Sequence, residues 1–198
     1  MTLVLSELPD AVQQEVARVR RIVSDLHAEL PRWELVVWTA GNVSQRIRCA
    51  GEIGEDLFVI KPSGVSYDDL SPERMVVCTL DGAKIVDGTP DALQPSSDTA
   101  AHAYVYAHLD RVGGVVRTHS AYATAWAARG EEVPCVLTMM ADEFGGPIPI
   151  GPFALIGDDS IGRGIVDTLA HSRSRAVLMQ NHGPFTIGSD GRDAVKAA

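Results

Sequence analysis

Between residues 10 and 30 the apolar positions recur at Val12, Val16, Val19, Val23, Leu26 and Leu30, in alternating steps of four and three. That spacing lays one stripe along an amphipathic helix. Asp10 stands as its cap with Gln13 three residues on, and Pro31 ends it. Downstream the apolar runs shorten. Residues 36–39, 57–60, 75–80, 133–138 and 176–180 read as strands, and Val115 and Val116 with the glycines before them form another. Asp81-Gly82 turns the 75–80 run into Lys84-Ile85-Val86, a hairpin signal, and residues 185–188 continue the extended chain after 176–180. Helices are expected over 99–109, over 121–129 with Gly130 as terminator, after Asp158 or Asp159 with Ile161, Ile165 and Leu169 on one face, and from Ser189 or Asp190 to Ala198. Hairpins beside single strands separated by helices predict a mixed sheet.

Composition changes this picture little. The chain has 198 residues, 45% hydrophobic and 22% charged, which favours a single domain with a core that needs no disulfide. Its net charge of -9 gives no footprint for nucleic acid or an anionic membrane, so any anion must be held by local donors. No apolar run is long enough to span a bilayer, and the cytoplasm is the expected location. Cys49, Cys78 and Cys135 are widely spaced without a CxxC, which argues against a thiolate zinc site; Cys78 and Cys135 are expected in the core.

The candidate chemistry sits where apolar runs end. The stretch VGGVVRTHSAYAT at 112–124 delivers Arg117, Thr118, His119 and Ser120, and strand alternation would send Arg117 and His119 to one face. Lys61-Pro62-Ser63-Gly64 ends one strand, Pro95-Ser96-Ser97-Asp98 opens a helix, and Asn181-His182-Gly183 ends another strand. Asp98, His119 and His182 would make a nitrogen and oxygen set suited to a divalent ion, although a histidine taken singly is more often a hydrogen-bonded structural residue than a ligand. Lys61, Ser63, Ser96, Ser97 and the amides of Gly41 and Gly64 are donors of the kind that hold a phosphate monoester. Gly41-Asn42 is equally a plain tight turn, and Ser97 or Asp98 equally a helix cap. Asp142 follows a strand and is either a general acid or base or a solvated carboxylate. His27, His102, His108 and His171 are placed on helices in structural roles.

As a set, GNVS at 41–44, KPSG at 61–64, QPSSDT at 94–99, THS at 118–120, Ala141-Asp142 and NHGPF at 181–185 resemble the class II aldolase/adducin-like family, in the right order along the chain. SSD, rather than the SSE of the fuculose-phosphate aldolases, is similar to the L-ribulose-5-phosphate 4-epimerase branch. The resemblance implies a three-layer α/β/α fold with a mostly antiparallel central sheet, in a homotetramer with sites between subunits. It places Gly41, Asn42, Lys61, Ser63, Gly64, Ser96 and Ser97 at substrate-phosphate positions. It places Asp98, His119 and His182 around zinc or another divalent metal such as manganese, and Asp142 at the acid/base position. The implied reaction is a reversible aldol cleavage of a small phosphorylated sugar.

Two departures accompany the resemblance. The family has a histidine where this chain has Arg117, and a guanidinium offers no lone pair to a metal. The family also continues with further helices and a tyrosine from a neighbouring subunit, for which this chain has no counterpart, so its C-terminal helices are expected to be missing or short. Three outcomes follow: a metal-dependent epimerase, a sugar-phosphate aldolase or other lyase of the same family, or a non-catalytic adducin-like binding protein with a lost metal site.

Overall fold

In the computed structural model, which describes residues 2–198, the apolar stripe near the N-terminus forms α1 (Asp10–Arg32) with Val12, Val16, Val19, Val23, Leu26 and Leu30 all buried. Pro9 rather than Asp10 is its capping position, without a side-chain cap, and Pro31 lies inside the last turn. The helix closes past the proline because Trp33 N still donates to Glu29 O at 3.0 Å.

Seven strands form one sheet: β1 (Asn42–Ile47), β2 (Leu57–Ile60), β3 (Val76–Thr79), β4 (Gly114–Arg117), β5 (Ile150–Gly151), β6 (Ala176–Met179) and β7 (Gly183–Gly188), in the order β3-β2-β1-β4-β7-β6-β5. Every pairing is antiparallel except β5 with β6. The remaining helices are α2 (Ala50–Ile53), α3 (Thr99–His108), α4 (Ala121–Arg129), α5 (Thr138–Phe144), α6 (Ser160–Leu169) and α7 (Gly191–Lys196). Alternation along the strands sorts the core into two faces. Leu57, Val59 and Val77 pack with the stripe of α1, while Phe58, Ile60, Val76 and Cys78 pack with α3 and α6. Val116 packs with Ala194 of α7, and Val115 faces the other side. The result is an α/β/α arrangement around a mostly antiparallel sheet, as the resemblance implied.

Several local expectations fail. Residues 36–39 are not a strand: Val37 and Trp38 are exposed and Trp38 holds φ 61°, so the segment turns instead. Gly41-Asn42 is not a free turn, because Asn42 begins β1, whose polar sequence NVSQRI gives no apolar run. Residues 133–138 supply only a bridge, Val133 with Ile148, and α5 takes up Thr138 to Phe144, including Asp142. Lys84 likewise makes an isolated bridge with Cys78 rather than a full strand. His171 lies just beyond α6, and Cys135 is half-buried while Cys49 and Cys78 are core. Among the described residues no helix is long and apolar enough to cross a membrane.

Candidate active site

The polar clusters meet because the sheet places their strands side by side. β1 lies between β2 and β4, and Asn42 pairs directly with Arg117. Beyond β2 the chain is clamped to the segment before α3: Pro62 bridges Pro95, Ser63 N donates to Gln94 O at 2.8 Å, and Ser96 N donates to Lys61 O at 3.0 Å. KPSG and PSSD thus become one wall. Gly41 permits the approach of β1 to β4, since at φ 79° a Cβ there would lie 2.5 Å from Val36 Cγ1 and 2.9 Å from Arg117 O.

Gly41, Asn42, Lys61, Ser63, Gly64, Ser96, Ser97, Asp98 and Arg117 line one cavity of about 240 Å³, with Thr39 and Ala40. Lys61 is 2% exposed and, among the described residues, has no carboxylate partner; its Nζ donates to Thr39 O at 3.1 Å and Pro62 O at 3.2 Å. Burial pulls its pKa down to about 8. Asp98 occupies the capping position of α3 without capping it. Its Oδ2 instead accepts from Asn42 Nδ2 at 2.8 Å, and the same amide nitrogen reaches Ser96 Oγ at 2.9 Å.

Around Asp98 stand the groups from β4 and from the β6–β7 turn. Arg117 Nε is 3.7 Å from Asp98 Oδ2, and His182 Nε2 is 3.7 Å from Asp98 Oδ1. Asp98 Oδ1, His182 Nε2 and Arg117 Nε are all buried without a hydrogen-bond partner. Burial, with the Arg117 charge second, pushes the His182 pKa down to about 4, and the same causes lower that of His119. Strand alternation does not reach His119, because β4 ends at Arg117 and the His119 amide donates to Leu35 O at 2.8 Å. Gly183, at φ 139°, lets the β6–β7 turn close over Thr118 and His119. Asp142 is exposed on α5 and lines no part of the cavity.

Other residues at the site gave no signal as motifs. Tyr67 donates its hydroxyl to Ala40 O at 2.8 Å and lies 5.4 Å from Lys61 Nζ by its ring. Behind β1, Ser44 Oγ lies 2.7 Å from both His102 Nδ1 and Tyr106 Oη, all buried. His102 is four residues after Asp98, a spacing that puts both on one helix face and was the available clue. His27 is structural: Nε2 accepts from Val43 N at 2.9 Å, so Nδ1 donates to Val23 O at 2.6 Å.

The donors present fit a divalent ion in part. Asp98 Oδ1 and His182 Nε2, both orphaned, are separated by 3.7 Å; two atoms sharing a tetrahedral ion would be about 3.4 Å apart. His119, its pKa lowered by burial and by the Arg117 charge, keeps a neutral imidazole. Yet among the described residues no three His, Cys, Asp or Glu side chains gather as a ready ion site. Arg117 is the group placed among them.

The site thus joins a lysine-containing cavity to a histidine–carboxylate pair at the strand ends of a mostly antiparallel sheet. The sequence signature of the class II aldolase and adducin N-terminal domain matches residues 21–198, and the chain belongs to that family. It is 40% identical over 190 residues to L-ribulose-5-phosphate 4-epimerase UlaF of Salmonella paratyphi C (strain RKS4594), covering 91% of this chain and 79% of that protein. The same identity and coverage hold for the UlaF epimerase of Salmonella typhi. In fold it is similar to an L-fuculose 1-phosphate aldolase, with a TM-score of 0.80, 23% identity, and coverage of 91% and 79% of the two chains. YgbL from Klebsiella pneumoniae, described as a putative aldolase/epimerase/decarboxylase, is similar with a TM-score of 0.75, 27% identity, and coverage of 92% and 84%.

Proposed function

We propose that this protein is an epimerase of small phosphorylated sugars, working by reversible aldol cleavage and re-addition, as its likeness to L-ribulose-5-phosphate 4-epimerases supports. One observation carries the proposal. The cavity that holds Lys61, Ser63, Ser96 and Ser97 opens directly beside Asp98, which faces His182. A phosphate gripped by the first group would hold its sugar's carbon chain against the second.

Lys61 supplies the charge for the phosphate, and the serine hydroxyls with the Gly41 and Gly64 amides supply directional donors. Asn42 joins the two halves, since its amide nitrogen holds both Ser96 and Asp98. Asp98, His119 and His182 would hold zinc or manganese, which when bound would supply positive charge at the sugar's ketone oxygen and the hydroxyl oxygen next to it. Asp142 is assigned the proton at the C4 oxygen, and its exposure on α5 suits a site completed by a neighbouring copy in a homotetramer. The cytoplasm is the proposed location.

A second reading, favoured by the Arg117–Asp98 pair, is a binding protein that keeps the cavity without turnover. Incubation with L-ribulose 5-phosphate and a panel of pentulose and hexulose phosphates, with manganese added, separates the two. Epimerised product is expected. Aldehyde products alone would make the protein an aldolase, and saturable binding without any product would make it a binder.

A further inference from the structure

We infer that Arg117 is a resident counter-cation for Asp98, neutralising that carboxylate in the ion-free protein and opposing any divalent ion that comes to it. The inference rests on the reading of Asp98 and His182 as ion ligands. Asp98 has 2% of its side chain exposed and Arg117 11%. A carboxylate so far from water is costly unless an opposite charge offsets it. Among the described residues, Arg117 and His182 are its only ion-pair partners within 4.0 Å, and of these Arg117 alone is always charged. Lys61 sits in the same cavity but spends its ammonium on two carbonyl oxygens.

The geometry of the pair separates charge from hydrogen bonding. At 3.7 Å the Arg117 Nε contact is beyond hydrogen-bond range, and that nitrogen has no other acceptor. Asp98 Oδ2 takes its hydrogen bond from Asn42 instead, and Oδ1 takes none. Arg117 therefore holds Asp98 by field rather than by a fixed fork, and it leaves Oδ1 open toward His182. An ion entering between Oδ1 and Nε2 would lie within a few ångströms of the guanidinium, in surroundings of low dielectric where like charges repel strongly. It has to displace Arg117 or bind against it.

The test uses the full chain as wild type, Arg117→Gln, Asp98→Asn and the double variant, each treated with chelator. Two quantities are read: melting temperature without metal, and manganese affinity by calorimetry. Chelated Arg117→Gln is expected to melt about 5 °C or more below wild type, with most of that loss recovered when Asp98→Asn is added. Its manganese affinity is expected to exceed that of wild type by at least tenfold. If Arg117→Gln does not fold, a folded double variant supports the pairing, and a double variant that also fails overturns it. Equal melting and equal manganese affinity for wild type and Arg117→Gln would overturn the inference while leaving the ion site standing. Manganese bound by none of the four proteins would overturn the ion reading itself and, with the melting pattern intact, leave Arg117 as a counter-charge only.

Discussion

Burial takes Lys61 out of water and leaves its ammonium with two carbonyl oxygens as acceptors and, among the described residues, without a carboxylate to hold its proton. Its pKa therefore falls to about 8, well below that of an exposed lysine. The sign of the consequence is definite. Below that pH the cation is present and an anion in the cavity gains from it; above it the unliganded side chain is neutral. Inorganic phosphate, measured by calorimetry between about pH 7.5 and pH 9.5 where its own charge is nearly constant, is expected to lose roughly tenfold in affinity for each unit above the Lys61 pKa. Lys61→Met should bind weakly with a flat profile. An affinity indifferent to pH in the wild-type protein would remove Lys61 as the anchor. At this scale the motifs were informative: KPSG and PSSD were legible as donors, whereas Tyr67 and the Ser44–His102–Tyr106 group were not. A buried hydroxyl shows in sequence only as an ordinary serine or tyrosine.

Elements depend on what packs against them as much as on their own residues. α3 and α6 cross at Gly162, where an added Cβ would stand 2.6 Å from Tyr104 Cβ and 2.7 Å from Ala101 O. Helix propensity favours alanine there by about 1 kcal/mol. Forcing a methyl group into a filled contact costs about 1–3 kcal/mol, and a backbone oxygen has little room to yield. Packing wins, so Gly162→Ala is expected to lower stability by up to about 2 kcal/mol in urea unfolding. A gain in stability would show that the two helices can separate freely. The same dependence explains the missed elements. β1 is central yet polar, because Ser44 and Arg46 find buried partners, with Arg46 Nε donating to Asp56 Oδ2 at 2.7 Å. The exposed Val136 and Leu137 just before α5 imitate a strand when read locally.

For the molecule as a whole, six of the eleven large apolar residues exposed among the described residues lie in two segments. Val136, Leu137 and Met139 precede or begin α5, and Phe153, Leu155 and Ile156 follow β5, each more than half exposed. The Val133–Ile148 bridge ties these segments together. Apolar surface of this kind is normally covered by a partner. If these segments meet in the proposed tetramer, light scattering is expected to give four times the 21.2 kDa chain mass, and Leu155→Glu, which puts a charge on that apolar surface, should shift the population toward single chains. A wild-type mass of one chain would remove the tetramer and leave Asp142 with no neighbouring copy to serve.

Sequence alone determined the amphipathic α1, the short buried strands β2, β3, β4 and β6, the helices that Gly130 and Asp190 punctuate, and the set of residue types able to hold a phosphate and an ion. Those features follow from periodicity, capping and side-chain chemistry, which act over a few neighbouring residues. Only the tertiary structure decided that β1 joins β2 to β4, that Pro62 and Pro95 clamp two loops into one wall, and that Asp142 stays apart from the cavity. It also decided that Arg117 faces Asp98. Contacts between residues 19 or 33 positions apart are set by sheet order and burial, and no local pattern along the chain encodes them.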